Sequence, residues 1–155
     1  MTVADESSTP DEGEYLPSAW DWVSEQVERY ERSGGTEGTT FLDTGLPVVI
    51  LTMRGRRTGK VRKAPVMRVE HGGEYAVVAS KGGVPAHPEW YWNLRADPEH
   101  VELQDGPERF AVRLRELDGD ERQRWWERAV AAYPPYAEYQ AATARRIPVF
   151  VATRR

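Results

Sequence analysis

Six cationic side chains, Arg54, Arg56, Arg57, Lys60, Arg62 and Lys63, fall within the ten residues RGRRTGKVRK, which contain no acid, in a 155-residue chain of formal net charge -4. A local positive island in an acidic protein suits one anionic ligand and not a polyanion gripped along a whole face. Gly55 and Gly59 bracket Arg56, Arg57 and Thr58, between an apolar run, PVVILTM, and a second extended stretch, VRKAPVMRVE. This predicts a tight turn joining two strands, where glycines let backbone amides approach a phosphate and guanidinium groups grip its oxygens in pairs. The same residues also suit a solvated hairpin tip. A second segment tips the balance: in Tyr75 to Gly83, YAVVASKGG, a short apolar strand runs into Ser80, Lys81 and two glycines, another loop with donors for an anion. The two loops are expected to hang on neighbouring strands of a meander and to converge on one ligand.

Two aromatic groups could serve the same ligand or a partner to it. HPEWYWNL puts Trp90, Tyr91 and Trp92 in consecutive helical positions, so at most one or two face the same site. AAYPPYAEYQ spaces Tyr133, Tyr136 and Tyr139 by three across a Pro134-Pro135 break that ends one helix and starts another, and puts Tyr136 and Tyr139 on one face. Such a stripe suits a core, yet a phenol can also hydrogen-bond a carbonyl or nitro oxygen and supply a proton. No Ser/His/Asp or Cys/His constellation and no carboxylate pair stands out. With zero cysteines, and with His71, His87 and His100 not at ligand spacing, a zinc site is not expected.

GRRTGKVRKAP, VVASKGG, HPEWYWNL, AAYPPYAEYQ and TARRIPVFV, in this order and at this spacing, resemble the deazaflavin (F420)-dependent nitroreductase and F420H2-dependent quinone reductase family. The likeness runs from about Trp20 to the C-terminus. It implies a split β-barrel that binds coenzyme F420 and passes a hydride from the reduced deazaflavin ring to a quinone, a nitroaromatic or an activated enone. It implies that Arg56, Arg57 and Arg62, with Thr58 and Gly59, hold the coenzyme phosphate. Val78, Ala79, Ser80, Lys81 and Gly82 then lie by the ring, with Pro88, Trp90, Tyr91 and Asn93 close to the coenzyme. Met67, Tyr133, Tyr136 and Tyr139 line the acceptor side, and Tyr133 or Tyr136, or solvent, delivers the proton. Met67 stands where some relatives place a tyrosine, which reshapes the pocket without preventing reduction. An FMN-binding split barrel and a non-enzymatic F420 carrier are the alternatives. The charge is too localised for a nucleic-acid module.

These residues need a scaffold, and 155 residues at 39% hydrophobic and 30% charged suffice for one core. Residues 1–17, acidic and without a base, are expected to be a disordered tail, and residues 18–155 a single domain. Trp20, Val23, Val27 and Tyr30 recur at helical spacing, with Ser18 a cap and Gly34-Gly35 a stop. This amphipathic helix is expected to pack across one barrel mouth, with peripheral contact to a membrane as the alternative. Strands are predicted over Pro47 to Met53, Val61 to Val69, Glu74 to Ala79, Val101 to Gln104 and Arg109 to Leu117. In the last, Phe110, Val112 and Leu114 alternate with Ala111, Arg113 and Arg115. Helices over about Pro88 to Ala96 and Gly119 to Tyr133, and a closing strand IPVFVAT, complete an α+β split barrel of mainly antiparallel strands with several flanking helices. No GxGxxG follows a strand, so nothing suggests a Rossmann site. Without an apolar span or leader, cytoplasmic residence is expected, with contact at the inner face of the cell membrane as its extension.

Overall fold

The computed structural model describes residues 14–155. Seven antiparallel strands form one curled sheet: β1 (Val48–Arg54), β2 (Val61–Met67), β3 (Glu70–His71), β4 (Glu74–Val78), β5 (Val101–Asp105), β6 (Glu108–Glu116) and β7 (Val149–Arg154), in the order β2-β1-β5-β6-β7-β4-β3. Four helices cover it: α1 (Asp21–Arg32), α2 (Glu89–Ala96), α3 (Gly119–Ala132) and α4 (Pro135–Ala141). The fold is the expected α+β split barrel.

The strand sequences show why the sheet is covered on both faces. In β1, Val48 and Ile50 enter a cluster with α1, α3 and α4, while Val49, Leu51 and Met53 enter a second cluster with α2. β4 and β7 divide in the same way, with Ala76, Val78, Val149 and Val151 on the first side and Tyr75, Val77, Phe150 and Ala152 on the second. A strand buried on both sides reads as an unbroken apolar run. Of the longer strands β6 has a wet face, and there the predicted alternation holds over its second half, with Val112 and Leu114 buried and Arg113 and Arg115 exposed, while Phe110 and Ala111 are both half-buried.

The ladder has two ends that matter. β2 is an edge strand, fit for one by Pro65, which has no N–H to give a further neighbour. At the other end, past the two-residue β3, lies β4. The sheet curls until β2 and β4 pack together without pairing, so the basic turn and the Ser-Lys-Gly loop do not hang on neighbouring strands, as expected, but face each other across this seam. β7 closes the sheet from within, pairing with both β6 and β4. The short β3, joined to β4 by Gly72 and Gly73 at φ 62° and 85°, is too brief to have shown a period.

α1 begins at Asp21, with Trp20 as its N-cap residue in place of the expected Ser18, whose Oγ accepts the Trp20 N–H at 3.1 Å. It ends in a Schellman arrangement, the Gly34 N–H on the Glu31 carbonyl and the Gly35 N–H on the Tyr30 carbonyl, with both glycines left-handed. Val27 and Tyr30 of its stripe are buried, and the Tyr30 hydroxyl accepts the Gly106 N–H at 2.7 Å, fixing α1 to the β5–β6 turn. Trp20 is 70% exposed and does not join the core. Residues 14–16, assigned to the tail, run along the start of β2, where the Leu16 N–H donates to Val61 and the Val61 N–H to Glu14. Residues 1–13 of the expected disordered tail lie outside the described residues.

Candidate functional site

A cleft of about 790 Å³ lies along the seam. The β1–β2 turn forms one end, the Ser80–Gly82 loop and α2 another, α1 the roof and the tyrosines of α3 and α4 a wall. Of the residues expected to hold a ligand, Arg56, Arg57, Thr58, Arg62, Met67, Val78, Ser80, Lys81, Gly82, Pro88, Trp90, Asn93, Tyr133, Tyr136 and Tyr139 all line this one space.

Three do not. Gly59 is at the tip of the turn, its N–H donating to the Gly55 carbonyl at 2.8 Å. Ala79 is fully buried, with its N–H on the Pro148 carbonyl. Tyr91 points away from the cleft: its ring lies 4.4 Å from that of His87, and its hydroxyl donates to Glu116. It lines a separate cavity of about 160 Å³ with Arg122 and Arg146. Trp90, Tyr91 and Trp92 diverge because adjacent residues on a helix are turned about 100° apart.

The six cations of the turn are not equivalent. Lys63, its side chain only 8% exposed, pairs with Glu31 of α1 at 2.5 Å and so docks the roof on β2. Lys60 pairs with Glu14 at 3.3 Å, and Arg56 with Glu89 of α2 at 3.4 Å. Asn93 Oδ1 accepts both the Arg56 backbone N–H, at 3.1 Å, and its guanidinium, at 3.3 Å, tying the turn to α2. Arg57 and Arg62 have no hydrogen bond or ion pair through their side chains among the described residues, so their donors remain for a ligand. The acids absent from the turn itself are thus supplied by α1, α2 and the segment before α1.

Across the cleft, Lys81, Gly82 and Gly83 are all left-handed, at φ 45°, 63° and 79°. The first is costly for a residue with a Cβ, and such strain persists only where the surroundings impose it. Gly82 faces open space, whereas a Cβ on Gly83 would stand 2.6 Å from the Tyr139 carbonyl oxygen. The loop therefore packs directly on the backbone of α4.

The wall is an aromatic train. Trp22 meets Phe41, Phe41 meets Tyr133 edge-on at 6.1 Å, and Tyr133 meets Tyr136 at 4.9 Å and 76°. The Tyr133 and Tyr139 hydroxyls are 2.8 Å apart. Burial first, then this bond, pushes the Tyr133 phenol up to about 12. Tyr136 is raised further, chiefly by burial. Among the described residues its hydroxyl has no partner, yet no fully buried polar atom there lacks one. That oxygen therefore opens to the cleft, which Tyr136 lines. All three roles that a phenol can offer, donor, acceptor and ring face, are present on one wall as neutral groups.

Sequence reasoning missed Leu16, Trp20, Trp22, Val23 and Phe41, which line the mouth. Tryptophans at 20 and 22, where a helix can bury only one of two such neighbours, were a readable signal for the roof. Phe41 lies in a loop without period and gave none. Among the described residues no group of three or more His, Cys, Asp or Glu could hold a metal ion, and no helix is long and apolar enough to cross a membrane.

The description F420H(2)-dependent quinone reductase belongs to the family that matches residues 22–154. An F420H(2)-dependent quinone reductase of Mycobacterium tuberculosis is 38% identical over 112 residues, 70% of this chain and 74% of that protein. Among solved structures, an F420-H2 dependent reductase is 54% identical over 69% of this chain and 94% of its own, with a TM-score of 0.66. A structure described as a domain-swapped dimer is 52% identical over 88% of this chain and all of its own, with a TM-score of 0.68.

The two glycines of the second loop separate fit from strain. Gly82→Ala, with open space at its Cβ, is expected to cost about 1 kcal/mol for its left-handed backbone alone. Gly83→Ala adds a backbone clash and is expected to cost about 2 to 4 kcal/mol. Chemical denaturation of both variants checks the difference; equal losses would mean that the loop does not bear on α4.

Proposed function

Because this chain belongs to the F420H2-dependent quinone reductase family, and is an oxidoreductase using coenzyme F420, we propose that it reduces a quinone held in the seam cleft against Tyr133, Tyr136 and Tyr139. Nitroaromatics and activated enones, flat molecules with a polar acceptor oxygen, fit the same wall. The observation that carries the reading is the division of the cleft into a cationic end with two uncommitted guanidinium groups and an aromatic end with neutral phenols. FMN, the alternative cofactor, finds no support in the relatives, which are F420-dependent.

The residues fit the coenzyme. Arg57 and Arg62 would hold its phosphate in charge-assisted bonds, while Arg56, committed to Asn93 and Glu89, shapes the turn. Open space at Gly82 admits a flat ring close to the backbone, and Met53, Val66, Met67 and Val78 give it an apolar floor. When bound, reduced F420 supplies the hydride, and the protein supplies binding, orientation and exclusion of water. Tyr136 donates a hydrogen bond to the acceptor oxygen, and its raised pKa keeps it protonated throughout the physiological range. The Tyr133–Tyr139 pair offers a route for the one proton that completes the hydroquinone after hydride transfer, since Tyr139 is only partly buried and reaches solvent.

Exposure of Trp20 at 70% and Trp22 at 42%, both on the mouth, supports peripheral contact of α1 with a membrane that holds a lipid-soluble quinone. The double variant Trp20→Ser, Trp22→Ser is expected to lose sedimentation with lipid vesicles while reducing a water-soluble quinone at the wild-type rate. Equal sedimentation would remove α1 from such a role.

Fluorescence titration tests the cationic end. Arg57→Ala with Arg62→Ala is expected to weaken F420 binding about 100-fold or more, since each charge-assisted bond contributes about 1.5 to 3 kcal/mol. Neither side chain has an ion pair or hydrogen bond among the described residues, so the melting temperature should move little. Unchanged affinity in the folded variant would sink the phosphate assignment.

At the aromatic end, Tyr136→Phe removes a hydroxyl without a protein partner. It is expected to leave stability and F420 affinity intact and to lower turnover about 10- to 100-fold. Tyr133→Phe also breaks the bond to Tyr139 and should cost about 1 kcal/mol of stability as well. Rates with a quinone and a nitroaromatic, measured beside the melting curves, check both. Loss of stability with unchanged rates would return the tyrosines to the core.

A further inference from the structure

Arg145, in the segment between α4 and β7, has no carboxylate partner among the described residues and spends its donors on one loop. Its Nε donates to the Val84 carbonyl at 2.8 Å, Nη1 to the Ala79 carbonyl at 3.2 Å and to His87 Nδ1 at 3.0 Å, and Nη2 to the Ser80 carbonyl at 2.5 Å. The acceptors enclose Lys81, Gly82 and Gly83, the three consecutive left-handed residues. We propose that Arg145, with His87 as its acceptor, is a positioning residue, a backbone clamp that imposes the strained curvature through which Lys81 and Gly82 face the coenzyme side of the cleft. The choice of ligand rests on the F420 reading; the clamp itself is a property of the coenzyme-free chain.

A guanidinium suits this task because its planar fork can satisfy several carbonyl oxygens at once, whereas an ammonium cannot reach all four acceptors from one point. The segment is itself held. The Gln140 amide nitrogen donates to the Arg145 carbonyl at 2.8 Å, Gln140 Oε1 accepts the Ile147 N–H at 2.9 Å, and Thr143 Oγ1 accepts the Arg145 N–H at 3.2 Å. Gln140 lies on α4 beside Tyr136 and Tyr139. The clamp thus fixes the loop relative to the tyrosine wall.

Arginine can only donate, so His87 Nδ1 is the acceptor and the ring proton sits on Nε2. Burial and then the Arg145 charge hold the His87 pKa below its ordinary value, against Glu116 of β6, which pulls it up. Tyr91, Trp92 and Arg95 of α2, Arg122 of α3 and Arg146 also face this ring or its cavity. Protonation would set cation against cation. A depressed histidine pKa means that the neutral form is favoured in the fold, so its contribution is present above the ordinary value near 6.5 and is lost as pH falls through the lowered one.

Hydrogen exchange of the coenzyme-free full chain tests the clamp. The amides of Gly83 and Val84, which donate to the Ser80 and Lys81 carbonyls, are expected to exchange about tenfold faster or more in Arg145→Ala, with Val77 and Val151 in the sheet unchanged. Arg145→Lys, which keeps the charge, should show the same local loosening should the alanine variant not fold. In the wild type these two amides should loosen progressively as pH falls below about 6.5, after correction for intrinsic exchange, and His87→Phe should lose that dependence. In parallel, F420 titration of Arg145→Lys should give a dissociation constant raised about tenfold, with kcat at saturating coenzyme within about twofold of wild type. Unchanged loop exchange, acceleration spread evenly over the sheet, or a loosened loop with wild-type coenzyme affinity would each overturn the positioning role. Failure of the wild-type chain to bind F420 would overturn the functional reading, while the exchange data alone would still decide the clamp.

Discussion

An edge strand bridged only at its start, by residues 14–16, is the constraint from which this site follows. β2 carries Pro65 and ends the ladder, and β4 stands at the other end with only the two-residue β3 beyond it. The sheet is curled, and its curl brings the two ends together without hydrogen bonds between them. A closed barrel would have filled this space with side chains. The open seam leaves a cleft whose floor is made of strand side chains and whose two ends are the loops that leave those strands.

The charges around the seam divide their labour by burial. Lys63 sits almost wholly out of water against Glu31, so removing Glu31 would weaken the compensation of a buried charge. Its contribution is to hold α1 as the roof. Arg56 does the corresponding work for α2. Among the described residues Arg57 and Arg62 have no ion-pair partner, while Glu14, Glu31 and Glu89 are paired with Lys60, Lys63 and Arg56, which is the condition under which a cation attracts a ligand in place of a neighbour.

How much of this was legible follows from the range of each interaction. The strands were readable because burial on two faces writes apolar runs such as PVVILTM, and β6 because its wet face alternates. The two loops were readable as chemistry because glycine, hydroxyl and cation lie together in the chain. The pairing of Lys63 with Glu31, 32 residues away, and of Arg56 with Glu89, 33 away, leaves no local trace. Hence the six cations of the turn looked alike. Tyr91 was placed with Trp90 for a similar reason, since a helix's rotation about its own axis is settled only by what packs on it. The helix across the mouth was expected, but Phe41 and the part the tryptophans play there were missed because the cleft is formed by elements far apart in the chain.

Arg145 shows the limit in its sharpest form. Within TARRIPVFV it is one of two adjacent arginines, and nothing in their order tells them apart. Their structural fates diverge because Arg145 meets carbonyl oxygens, which every residue has and no sequence pattern advertises. Arg146 is exposed. The strain at Lys81 is the complementary signal: a non-glycine residue held left-handed needs an outside constraint, and the search for that constraint ends at a guanidinium 64 positions further along the chain. A strained loop, its clamp and the helix bearing the tyrosines are then one mechanical unit, in which the spacing between the loop and the tyrosine wall is held by the close approach of Gly83 to the Tyr139 backbone and by the Gln140 side-chain amide on the backbone of Arg145 and Ile147.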